Sequence, residues 1–118
     1  MFDVDVFADA IERTGAAWIV FTATHQGFYW SGPNSAIDRI SPGRTAERDL
    51  LGEIINELDQ RGIRTLFYLH TGCNGYDPVV WREAVGANEP DGQRFSDNIE
   101  AILRECSLRY GEKLKGFG

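Results

Sequence analysis

The sequence has no long hydrophobic run, no excess of basic residues and very little cysteine. No stretch approaches the roughly 18 consecutive apolar residues of a transmembrane helix, and the acidic start shows no signal peptide. Twelve Lys and Arg against eighteen Asp and Glu give a net charge of -6, which argues against a nucleic-acid or membrane-surface protein. Cys73 and Cys106 lack metal-ligand spacing and are too few for a disulfide framework. We therefore expect two free thiols in a reducing, cytoplasmic compartment, with a single disulfide as the alternative.

One pattern occurs three times along the chain: apolar residues at helical spacing, then a glycine, then a short apolar run. The run after Gly15 is typical of a strand covered on both faces, and the short helix-to-strand turns indicate a parallel sheet. Helices are predicted over 2–13, from near Thr45 to Gly62 and over 95–110, and strands over 16–22, 63–70 and 114–118. The sequence therefore predicts an α/β fold, a short parallel sheet with flanking helices.

Long loops follow the first two predicted strands, roughly over residues 24–44 and 71–91. In parallel α/β proteins such loops lie at the carboxyl ends of the strands and hold the active site. No Gly-x-Gly-x-x-Gly and no phosphate loop follows either strand, which disfavours a nucleotide-binding fold. A (β/α)8 barrel needs about 250 residues, so residues 1–118 are expected to form a single domain that is a truncated part of such a barrel. Because a three-stranded piece leaves open edges and an exposed apolar face, we also expect homo-oligomers.

Several segments carry a resemblance to a known enzyme family. The stretch WIVFTATHQGFYW at 18–30 resembles the second barrel strand of the α-L-fucosidases of glycoside hydrolase family 29, in which an apolar run precedes threonine, histidine and Gly-Phe. Further matches follow in the same order over almost the whole chain: DRI at 38–40, ERDL at 47–50, GIR at 62–64, FYLHTG at 67–72, SLRYG at 107–111 and KGF at 115–117. The chain is similar above all to a bacterial fucosidase-like subgroup in which the second-strand motif is short.

The resemblance implies retaining hydrolysis of terminal α-L-fucosides on a (β/α)8-like barrel, with an aspartate nucleophile and a carboxylic acid about 5–5.5 Å apart. In the family the nucleophile follows the segment that matches 115–117 here, so we expect this sequence to lack it, together with the first-strand motif and the usual acid/base residue. Of the family's His-His pair only His25 is present, and Gln26 stands where an acidic residue is usual. The inherited chemistry is therefore expected to be incomplete.

Five side chains near the ends of the two strands are candidates for binding a sugar. His25 precedes an aromatic cluster, which suggests a hydrogen bond to a sugar hydroxyl while an aromatic ring stacks on the sugar; the alternative is a loop histidine over exposed aromatics. His70 ends the next strand and should point to the same rim, the alternative being a hydrogen bond to a neighbouring loop. The predicted substrate-binding residues are His25, Gln26, Tyr29, Trp30 and His70.

Carboxylates are so plentiful in this chain that a pair alone indicates little. Asp77 and Glu83 in the second long loop are the candidate catalytic pair if the chain hydrolyses a substrate, and the acid of the pair needs a raised pKa. Trp81 either adds a stacking surface or closes this loop. Asp49 is interpreted as a helix cap or dipole partner, and Arg44 as part of a solvated surface. No metal-ligand spacing of His, Asp and Glu is visible, so we predict neither a metal nor a cofactor.

Three functions stay open from the sequence. The first is an α-L-fucosidase-like glycoside hydrolase that acts on a fucosylated sugar. The second is a catalytically dead carbohydrate-binding module, and the third is an inert or self-assembling folding unit. None of the three involves a nucleic acid or a membrane.

Overall fold

A computed structural model describes residues 1–25, 27–70 and 79–118 of the chain. The elements in chain order are α1 (Val4–Arg13), β1 (Trp18–Thr24), α2 (Ser35–Ile40), α3 (Leu50–Gln60), β2 (Arg64–Leu69), a π-helical turn (Val80–Val85), α4 (Gln93–Tyr110), a 3-10 turn (Gly111–Lys113) and β3 (Leu114–Phe117). Within these ranges no helix combines the length and the apolar character that crossing a membrane requires.

The three strands form one parallel sheet in the order β1-β2-β3. In its register Trp18 lies opposite Arg64 and Thr22 opposite Tyr68, and Phe117 of β3 lies opposite Phe67 of β2. The predicted α/β class, a short parallel sheet with flanking helices, is confirmed. Since β2 is the middle strand, β1 and β3 are the two edges of the described sheet.

The sheet is covered on one face only in the described part of the chain. Along β2, Thr65 and Phe67 are buried while Leu66 is only half-buried, which is the alternation of a strand with one packed face. Along β1, Trp18 is 56% exposed and Val20 is 45% exposed. The prediction that this first strand is covered on both faces is therefore wrong for the part of the chain that the structure describes. The apolar run packs against helices on one side, and Trp18 and Val20 are exposed on the other.

Helix boundaries follow polar caps and glycines. Asp3 lies just before α1 and its side chain accepts a hydrogen bond from the Val6 backbone N–H at 3.1 Å. Gly15 and Gly62 have φ angles of 75° and 72°, a conformation that favours glycine, so the predicted helix stops are confirmed. The second predicted helix begins later than expected, at Leu50 rather than near Thr45.

The two long loops contain structure that was not predicted. The first contains α2, and the second contains the π-helical turn. The helix α2 has only six residues, too few for a periodic pattern. The Asn34 side chain caps it by accepting a hydrogen bond from the Ile37 backbone N–H at 3.0 Å.

A single carboxylate on α4 holds α2 in place. Glu105 accepts hydrogen bonds from the backbone N–H groups of Ser35 at 2.7 Å and of Ala36 at 3.1 Å, from the Ser35 hydroxyl, and from Arg109 at 3.0 Å. Burial alone would raise the pKa of Glu105, but these hydrogen bonds lower it to about 2. The ionised Glu105 side chain therefore helps to tie α2, and with it the first long loop, to α4.

A second carboxylate, that of the half-buried Asp49, joins the start of α3 to the end of α4. Asp49 accepts from the Gly52 backbone N–H at 3.0 Å as the cap of α3, and from the Tyr110 hydroxyl at 2.6 Å. The prediction that Asp49 is a helix cap is confirmed. Nearby, the free thiol of Cys106 is 1% exposed in the main hydrophobic core, whereas Cys73 lies outside the described residues.

Candidate functional site

The two histidines meet at the carboxyl ends of neighbouring parallel strands. His25 follows β1 and His70 follows β2, and their ring centroids are 4.8 Å apart with the planes tilted by 33°. The His70 backbone N–H donates to the Thr24 carbonyl at 3.4 Å, which ties the two strand ends together. The expectation that both side chains share one rim is confirmed. His25 is exposed and His70 is half-buried, so the pair is accessible from solvent.

A tyrosine on the same strand holds His70. The Tyr68 hydroxyl lies 3.0 Å from His70 Nδ1. Residues two apart in a strand point to the same face, so β2 itself brings this pair together. Among the described residues, the hydroxyl that contacts His70 thus comes from the adjoining strand β2. Sequence reasoning missed Tyr68, although its spacing from His70 was the available signal.

The turn after His25 is anchored by a buried aromatic pair. The Phe28 backbone N–H donates to the His25 carbonyl at 3.0 Å, and Phe28 has a φ angle of 60°, which costs a residue other than glycine about 1–2 kcal/mol. Its ring is fully buried and contacts Trp81 of the π-helical turn in a T-shaped pair, with centroids 5.1 Å apart. Trp81 is fully buried as well, so it closes this region and offers no stacking surface.

Tyr29 presents an aromatic ring beside the turn. Its side chain is 63% exposed, and the Arg44 guanidinium carbon lies 4.5 Å from the ring centroid. Arg44 also donates to the Gly27 carbonyl, and its own carbonyl accepts from the Trp30 backbone N–H at 2.8 Å. Arg44 is thus half-buried and holds this loop together through these contacts. The interpretation of Arg44 as part of a solvated surface is corrected accordingly.

Trp30 does not offer an open aromatic face. Its side chain is 3% exposed because it packs into the main hydrophobic core, and its indole nitrogen has no hydrogen-bond partner in the part of the chain that the structure describes. The expectation that it stacks on a sugar at the surface is corrected accordingly. Gln26 and Asp77 lie outside the described residues.

Glu83 lies on the π-helical turn and is exposed. It lines a shallow depression of about 340 Å³ together with Arg44, Ser41 and Val80. Because Arg44 also lies over Tyr29, this depression adjoins the loop that carries the exposed ring. The structure therefore brings Glu83 near Arg44.

A larger depression of about 680 Å³ lies elsewhere, between α2 and α4. The basic side chains Arg104 and Arg109 in its lining are paired with Glu100 and Glu105 of the same helix. None of the predicted site residues that the structure describes lines it, so we place the candidate site at the histidine rim. Within residues 1–25, 27–70 and 79–118, no group of three or more metal-ligating side chains is close enough to hold an ion.

The sequence matches the family model described as alpha-L-fucosidase over residues 1–115. The chain belongs to the alpha-L-fucosidase family. No curated protein matches it. The match to the family model confirms the resemblance that the ordered segments of the sequence indicated.

Among solved structures, the fucosidase-family chain is similar to a GH29 alpha-L-fucosidase from Bacteroides thetaiotaomicron. The TM-score is 0.70 at 20% sequence identity, and the match covers 98% of this chain. It covers 26% of the other chain, so the present chain spans about a quarter of that enzyme's length. At this identity the likeness concerns the fold.

Proposed function

We propose that the histidine rim binds the fucosyl ring of a terminal α-L-fucoside, as the sugar-binding part of an α-L-fucosidase-like glycoside hydrolase. The contact of His25 with His70 across two neighbouring strand ends carries this proposal. The pair offers imidazole nitrogens to sugar hydroxyls at an accessible edge. The exposed Tyr29 ring, held by Arg44, supplies an apolar face for the sugar.

The proposed reaction is retaining hydrolysis on a partial (β/α)8 barrel. In a barrel the helices lie outside and the sheet's other face lines the interior, which fits the face of β1 that carries the exposed Trp18 and Val20. Asp77 and Glu83 are the proposed carboxylate pair, and a retaining mechanism requires their carboxyl groups to lie about 5–5.5 Å apart. The depression shared by Glu83 and Arg44 supports a place for Glu83 near the loop.

The test is fucose binding and release of nitrophenol from an aryl α-L-fucoside by the purified chain. We expect fucose to shift the NMR signals of His25 and Tyr29. We expect His25→Ala to weaken binding about tenfold or more while the free energy of unfolding changes by less than about 0.5 kcal/mol, because His25 is exposed. Galactose serves as the control sugar.

The outcomes of these two assays distinguish the hydrolase, the carbohydrate-binding module and the inert folding unit. Absence of fucose binding by the wild-type chain contradicts the proposal. Binding without nitrophenol release favours the catalytically dead carbohydrate-binding alternative. Release that is lost in both Asp77→Asn and Glu83→Gln supports these two residues as the catalytic carboxylates, whereas release that survives both excludes them.

A further inference from the structure

The Tyr68–His70 contact restricts where His70 can carry its proton. A neutral imidazole has one protonated and one unprotonated ring nitrogen, and the bond at one nitrogen decides the state of the other. The Tyr68 hydroxyl is 3.0 Å from Nδ1. A phenol is a good donor and an unprotonated imidazole nitrogen a good acceptor, so the favoured arrangement has Tyr68 donating to Nδ1. The proton of the neutral ring then lies on Nε2.

Two further contacts restrict His70, one through its backbone and one through its ring. Its backbone is tied to the end of β1 through the Thr24 carbonyl, and the His25 ring lies 4.8 Å away by centroids. Tyr68 stays in place because it belongs to the central strand, where its backbone lies opposite Thr22. A ring held on these sides directs Nε2 away from Tyr68.

We infer that Tyr68 is a positioning residue that keeps His70 in the Nε2–H tautomer and so presents a hydrogen-bond donor to a sugar oxygen at the rim. The inference rests on the proposed function for the identity of the ligand. The inference gives the two histidines different roles. His70 is an oriented hydrogen-bond donor, whereas His25 has no such hydroxyl partner in the described part of the chain.

The experiment compares the wild-type chain with Tyr68→Phe by two measurements. Long-range ¹H–¹⁵N correlation spectra at neutral pH report which His70 nitrogen carries the proton. In the wild type we expect two widely separated nitrogen signals, with Nε2 protonated. In Tyr68→Phe we expect the signals to move together as the tautomers mix, and fucose affinity to fall roughly threefold to tenfold, as for the loss of one neutral hydrogen bond.

Tyr110→Phe is the matched control, because it removes a tyrosine hydroxyl that bonds Asp49 in the interior. We expect it to lower stability but to leave the His70 nitrogen signals and fucose affinity unchanged. A His70 proton on Nδ1 in the wild type overturns the inference while the proposed function stands. Nitrogen signals or fucose affinity that do not change in Tyr68→Phe overturn it as well. A wild-type chain that does not bind fucose removes the proposed function and the sugar-presenting role together, although the spectra still decide the tautomer.

Discussion

Two tyrosine hydroxyls in this chain each contact a titratable side chain, one in the interior and one at the carboxyl ends of the strands. Tyr110 is 9% exposed and donates to Asp49 at 2.6 Å, whereas the half-buried Tyr68 lies 3.0 Å from His70 beside solvent. Burial, followed by the Asp49 carboxylate, raises the pKa of Tyr110. A bond that is shielded from water contributes to stability, because its loss leaves a buried group unpaired. In the inference above, the Tyr68–His70 contact at the rim instead decides which His70 nitrogen carries the proton that a ligand would meet.

The largest effect is expected from removing Trp81, because its ring belongs to the hydrophobic core and also contacts Phe28 beside the histidine rim. We expect Trp81→Ala to lower the free energy of unfolding by about 3–5 kcal/mol, because Trp81 is fully buried. Fucose affinity should fall too, since Phe28 loses its aromatic partner beside the turn of His25. Urea unfolding and fucose titration measure the two effects.

Trp18→Ala is the matched control, because Trp18 is 56% exposed on the uncovered face. Its stability should stay within about 0.5–1 kcal/mol of the wild type. Equal losses in the two variants would show that the described core does not depend on the Phe28–Trp81 contact.

A smaller effect is expected from Glu105. The folded pKa of about 2 lies below the ordinary value of 4.5, so the stabilisation is present above about pH 4.5 and is lost as the pH falls towards 2. At neutral pH we expect Glu105→Gln to cost on the order of 2 kcal/mol, after allowance for solvent screening. In the variant the decline of stability between pH 4.5 and 2 should be correspondingly shallower, as measured by urea unfolding over a pH series.

Glu100→Gln on the same helix is the control, because Glu100 forms an exposed pair with Arg104 and should change stability by less than about 0.5 kcal/mol. A Glu105→Gln chain that unfolds in parallel with the wild type across the acid range would refute the role given to this carboxylate.

The smallest effect on stability is expected on the uncovered face. The edge strand β1 contains no charge, proline or glycine, and strands of this kind tend to pair with other chains. We expect the predicted self-association to appear as a sedimentation coefficient that rises with concentration. Trp18→Lys should weaken it and leave the free energy of unfolding within about 0.5 kcal/mol.

Leu108→Lys provides the control for this prediction, since Leu108 is 79% exposed but lies on α4. It makes a similar change of charge away from the sheet and should leave the association unchanged. A sharp monomer at every concentration would rule out the predicted homo-oligomer.

The repeated order of helix, glycine and strand could be predicted because it depends on local signals. Gly15 and Gly62 adopt the expected positive φ, and Asp49 caps a helix as expected. The helix α2 could not be predicted, because it is short and Glu105, which holds it, is 70 residues away from Ser35 in the chain. Coverage of β1 could not be predicted either, since an apolar run has the same pattern whether or not a partner lies on its second face.

The part of the site that depends on strand order could be predicted from the sequence. His25 and His70 meet because both follow strands that end at the same edge. Arg44 was missed because its position over Tyr29 depends on how the loop folds, for which spacing gives no signal. Trp30 was expected at the surface because it follows His25 in an aromatic cluster, but the same loop buries its ring.

The buried thiol of Cys106 has a consequence for chemical reactivity. Burial, and then the Asp49 carboxylate, raise the pKa of this thiol to about 12, so almost none of it is thiolate at neutral pH. Alkylating reagents and oxidants react with the thiolate and need access to the sulfur. We therefore expect the Cys106 thiol to be labelled only when α4 detaches from the core, so its labelling rate reports on that local opening.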